Sequence, residues 1–138
     1  MAFTKTFVIT LLLFISLSSK AQYYKLLNLT EKQVREKVTE FPFVTRDSSK
    51  HEFVTYLTFK NKNNEIQLVC YFFFDSKCYL IYNYSKKESY ESTVDWANKS
   101  FNQISENRWR SKDNTFEISI HSLPEKVATI FSRGISRY

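Results

Sequence analysis

One glycine, two prolines, two cysteines and two histidines in 138 residues remove several function classes at once. With Gly134 as the sole glycine, no glycine-rich phosphate loop can form, and turns must be made by Asn, Asp, Ser and Lys. Cys70 and Cys78 are not spaced as a Cys-X-X-Cys redox or zinc pattern. His51 beside Glu52, and His121 in step with Glu117 and Ser119, match no metal-ligand or triad spacing. No polybasic tail is present. No apolar run reaches the roughly 20 residues that a bilayer-spanning helix needs. The composition predicts neither a metal nor a cofactor.

What is present begins with an address. Lys5 precedes an apolar run from Phe7 to Leu17 broken only by Thr10, followed by the polar stretch Ser18-Ser19-Lys20-Ala21. Ser19 and Ala21 occupy the small-residue positions of a signal-peptidase site, so residues 1–21 read as a cleavable export signal, cut between Ala21 and Gln22. No cysteine follows the cut to carry a lipid. Residues 22–138 are then expected as a single α+β domain in the periplasm or outside the cell. Lys5 and Lys20 leave with the signal and no acid does, so the net charge falls from +6 to +4. Such a charge favours solubility and an anionic partner.

The mature segment is rich in aromatics, the whole chain holding thirteen Phe, nine Tyr and two Trp. Thr30 and Gln33 form a capping-box pair that opens a helix expected from Thr30 to Phe41, with Leu29 and Val34 placed as a hydrophobic staple. Val34, Val38 and Phe41 give its buried stripe, and Pro42 ends it. Alternating or continuously apolar runs at 53–60, 65–74 and 77–84 predict a three-stranded antiparallel meander. Tyr90, Val94, Ala97 and Phe101 predict a second helix over 90–103, followed by strands at 104–111, 115–121 and 127–133. The fold class expected is α+β, two helices on a mainly antiparallel sheet in the order α-βββ-α-βββ. Val34 and Phe41 correspond to Val94 and Phe101, which suggests a tandem αβββ duplication. That order resembles the plan of small secreted inhibitors such as the β-lactamase inhibitory proteins, and implies inhibition of an enzyme as one possible role.

The two cysteines invite a disulfide in an exported chain. If Asp75 and Ser76 make a two-residue hairpin, Phe73 pairs with Cys78 and Cys70 with Ile81, leaving the cysteines on opposite faces and beyond bridging distance. They are therefore expected as free buried thiols. Arg108-Trp109-Arg110 is the densest basic-aromatic cluster. On a strand it places the two arginines on one face and Trp109 in the core. Export argues against nucleic acid and for an anionic glycan or acidic protein surface. The tyrosines at 23, 24, 56, 71, 79, 82 and 84 are too many to bury conveniently, because each hydroxyl needs a partner. Under the same hairpin, Tyr79 lies opposite in face to Tyr71 and Tyr82.

Together these residues predict a non-enzymatic exported binding module. It contacts an envelope or extracellular protein or glycan through Tyr79, Tyr82, Tyr84, Arg108 and Arg110. The alternatives are a small hydrolase-like enzyme with a polar site near His121, and a secreted enzyme inhibitor.

Overall fold

A computed structural model describes residues 22–49, 53–73 and 76–134. The expected signal segment, its cut beside Ala21, and His51 lie outside the described residues. Helix α1 (Glu31–Lys37) is followed by β1 (Phe43–Ser49), β2 (Val54–Lys60), β3 (Ile66–Phe72) and β4 (Cys78–Lys86). Helix α2 (Tyr90–Ser100) is followed by β5 (Asn102–Ser105), β6 (Arg108–Arg110), β7 (Phe116–Ser122) and β8 (Lys126–Arg133). The architecture is α+β, with the strands forming one antiparallel sheet of eight in the order β1-β2-β3-β4-β8-β7-β6-β5. Each helix thus precedes four strands, where the sequence predicted three. The two additional strands, β1 and β5, are the two edges of the sheet.

The capping box is made as expected. Gln33 N–H donates to Thr30 Oγ1 at 3.2 Å, and Thr30 N–H donates to Gln33 Oε1 at 3.0 Å. Helix α1 nevertheless stops at Lys37, because Val38 already has extended dihedrals (φ −98°, ψ 91°), so Pro42 is not its terminator. Helix α2 ends at Ser100, and Phe101 turns extended. The segment expected as one strand from Ile104 is a hairpin turning at Glu106-Asn107. Positive φ is taken by Asn28, Asn64, Ser76 and Asn114, where a chain almost without glycine uses short polar residues, and also by Phe53 (φ 53°) at the entry to β2.

Antiparallel pairing aligns residues into rows that cross the whole sheet. One row, Arg46-Leu57-Cys70-Ile81-Phe131-Ile118-Trp109-Gln103, faces the helices. Its six central members are at most 1 % exposed. Val34 and Ala97 from the helices, Val38 just after α1, and Tyr23, Leu26 and Leu27 from a 3₁₀ turn (Tyr23–Leu26) and the residue after it join that core. Trp109 Nε1 donates to Asn98 Oδ1 at 2.9 Å, which joins β6 to α2.

Both helices therefore pack on one face. The neighbouring rows point the other way. Val54, Val69 and Ala128 on that opposite face are buried yet stand outside the core cluster. Among the described residues, no helix covers them.

Candidate functional site

The uncovered face carries two rows. The first reads Asp47-Tyr56-Tyr71-Leu80-Ser132-Glu117-Arg110-Asn102, and the second Thr45-Thr58-Val69-Tyr82-Ile130-Ser119-Arg108-Ser105. The β1–β4 half is aromatic and the β5–β8 half polar and basic. Tyr56, Tyr71, Tyr82 and Tyr84 make a continuous ladder, with ring centroids 5.5, 5.6 and 6.3 Å apart in turn. Its far end is closed by the Lys126 ammonium, 4.0 Å from the Tyr84 ring centroid. All four rings are half-buried, and Val69 and Ala128 stand beside Tyr82 and Tyr84 in the register. Burial first, then the neighbouring phenols of Tyr82, Tyr84, Tyr56 and Tyr79, raise the pKa of Tyr71. Burial and Tyr82 raise that of Tyr84.

The expected binding residues Tyr82 and Tyr84 lie within this ladder, and Arg108 and Arg110 lie on the same face. Tyr56 and Tyr71, noted in the sequence only as surplus tyrosines, form the β2 end and the β3 member of the ladder. A clue to them was present, because Tyr56, Tyr71 and Tyr82 each occupy an alternating position opposite a core residue.

Tyr79 departs from expectation. A β-bulge between Tyr71 and Phe72 pairs Phe72, not Phe73, with Cys78 and makes Tyr79 the additional residue of the bulge. Tyr79 then stacks edge-on against Phe73, with ring centroids 5.5 Å apart.

The same bulge overturns the cysteine geometry. Cys70 and Cys78 both face the core with no exposed surface. Their side chains are diagonal neighbours, not on opposite faces. Both are free thiols in the structure. The adjacent Cys78 thiol, then burial, hold the Cys70 thiol well above its ordinary range.

Arg108 and Arg110 share one carboxylate. Arg108 Nη2 lies 2.6 Å from Glu117 Oε2, and Arg110 Nη2 lies 2.8 Å from Glu117 Oε1. The arginines, Arg110 foremost, hold the Glu117 carboxyl below the usual carboxylate range. One surplus positive charge remains, on two guanidinium groups fixed in orientation and still open to solvent. With both oxygens engaged and its acidity increased, Glu117 is a poor proton acceptor for a site at His121. His121 stands on this face opposite Ala128, exposed.

Among the described residues, no group of three or more His, Cys, Asp or Glu side chains is placed to hold a metal ion. No helix among them is long and apolar enough to cross a membrane. No family model, curated protein or solved structure matches this chain.

Proposed function

We propose that the protein is an exported, non-enzymatic binding module of the periplasm or cell envelope, and that it holds a protein or glycan partner on the helix-free face of its sheet. The observation that carries this reading is the ladder Tyr56-Tyr71-Tyr82-Tyr84 beside the Arg108–Glu117–Arg110 cluster. Tyrosine and arginine are the residues in which binding energy concentrates, since each joins a broad apolar surface to a hydrogen-bonding end. A face that no helix among the described residues covers, with aromatic residues in one half and charge in the other, has the composition of an interface. The rigid sheet beneath fixes the side chains before contact, which lowers the ordering cost of binding. Export rests on the leader of residues 1–21, and the partner is then an envelope or extracellular molecule.

The test is capture. Tagged protein, purified after expression of the full chain, is exposed to envelope extract from the source cells, beside the Tyr71→Ser variant. Expected is a partner that the parent retains and Tyr71→Ser loses, while both melt at similar temperatures. Retention unchanged by Tyr71→Ser sinks the reading. Fractionation of the source cells, with the N-terminal residue of the recovered chain determined, tests export: Gln22 is the expected first residue.

A further inference from the structure

The two halves of the open face differ in chemistry, and the difference is arranged about the seam between β4 and β8. We infer that the partner of this face is a second copy of the same chain, docked face to face about a two-fold axis running along the strands at that seam. This rests on the reading of the face as a binding surface, and names its occupant.

The register supplies the argument. A rotation about that axis lays β4 over β8 of the second copy, β3 over β7 and β2 over β6. In the first row, Leu80 then meets Ser132 of the second copy, Tyr71 meets Glu117 and Tyr56 meets Arg110. In the second row, Tyr82 meets Ile130, Val69 meets Ser119 and Thr58 meets Arg108. The Tyr71 hydroxyl faces a carboxylate whose oxygens each keep a lone pair for a further hydrogen bond, and the Tyr56 hydroxyl faces a guanidinium that can donate to it. Tyr84 comes over Ala128, so a large side chain meets a small one. Because the interface is isologous, every such contact occurs twice.

The opposite end limits the contact, since Lys86 approaches Lys126 of the second copy. The interface is therefore centred on the Tyr71 row. Size makes the contact a weak one. Five of the six central strands run some 20 Å and β6, with three residues, about 10 Å; at a spacing of about 4.8 Å the footprint is roughly 500 Å² before side-chain relief. A standard interface buries about 800 Å² per partner. Two sheets packed this way form an aligned sandwich, with helices on both outer surfaces.

The ladder also favours a protein over a sugar chain. Lys126 already covers a face of Tyr84, and Tyr71 is set edge-on to Tyr82 at 64°. The rings spend their faces on each other and on a lysine, and present edges and hydroxyl groups outward.

Sedimentation equilibrium over about 1 µM to 1 mM tests this directly. The expected result is a monomer–dimer equilibrium. Ser132→Arg, which sets a charge beneath Leu80 of the second copy, and Tyr56→Ser, which removes the ring under Arg110, each weaken it about tenfold or more. Lys32→Glu on the exposed side of α1 leaves it unchanged. All variants are compared after their melting curves show them folded. A chain monomeric throughout overturns the inference, and so does a dimer indifferent to both face variants. Should the chain be monomeric yet capture a different protein or a glycan through Tyr71, self-pairing fails and the binding-module reading stands. Should neither association be found, both fail.

Discussion

Trp109 and Asn98 are joined by the 2.9 Å bond from the indole Nε1 to the side-chain Oδ1, the polar link between the deepest ring of the sheet and helix α2. Trp109 is 1 % exposed, so its N–H has no water to turn to. Asn98→Ala leaves that donor unsatisfied, and a loss of about 1–3 kcal/mol is expected in urea unfolding. Asn98→Asp keeps an acceptor in place and should lose less. Equal losses in the two variants would show that the bond contributes little.

Gly134 is held where a side chain does not fit. Its N–H donates to the Thr115 carbonyl at 2.7 Å, and an added Cβ would stand 2.8 Å from the same oxygen. Gly134→Ala must displace either the end of β8 or the turn before β7. A loss of about 1–3 kcal/mol is expected, as for other overpacked sites, read as a lower urea midpoint with the slope unchanged.

Stability should fall at both ends of the pH scale. The folded chain holds the Cys70 thiol above its usual value of about 9 and the Tyr23 phenol above about 10, the latter through burial and the 2.7 Å bond to Glu40. Above those values the unfolded chain releases protons that the folded chain retains, so ionisation favours unfolding as pH rises. Glu117 behaves oppositely. Its carboxyl is depressed in the fold by Arg110 and Arg108, so the stability it contributes is present above about pH 4.5 and is lost as pH falls through the folded value. Exposure of the two arginines keeps that contribution small. Urea midpoints against pH should show a plateau between these limits, and Cys70→Ala should lessen the fall just above pH 9.

The cysteines give a chemical test of the bulge. Unfolded, unreduced protein should titrate two thiols per chain, while folded protein reacts far more slowly, because neither sulfur is exposed. Absence of titratable thiol in the unfolded chain would mean that the diagonal pair closes into a disulfide.

What the sequence displayed and what it hid follow one physical line. The N-cap of α1 and the apolar face of α2 were legible, because local spacing decides them: Thr30 bonds Gln33, and Tyr90, Val94, Ala97 and Phe101 meet the core. Strands β2, β3, β4, β7 and β8 were legible because one face or both are buried. The edge strands were not. Six of the seven residues of β1 and all four of β5 are exposed, so burial imposes no alternation for a reader to find. The expected tandem αβββ order failed on those two strands.

The site was legible in kind, and its register was legible up to the turn, since Cys70 pairs with Ile81 as expected. Surplus tyrosines and paired arginines announced an aromatic, basic surface. Only the pairing at the turn end depended on the bulge at Tyr71/Phe72, and no glycine marks it. One skipped partner brought Cys78 beside Cys70.

The sequence of β1 also determines how the sheet can and cannot grow. Phe43 and Val44, 50 % and 40 % exposed, head an edge that no other strand among the described residues pairs with, an invitation to strand addition. Two copies pairing there in antiparallel fashion with full overlap would set Arg46 directly against Arg46. A slide by one repeat sets Asp47 against Asp47, and a slide the other way places Phe43 opposite Asp47. Like charges in direct register repel, and the remaining alignment puts a ring against a carboxylate. Pairing of β1 with β1 of a second copy is thereby disfavoured by two adjacent residues, Arg46 and Asp47.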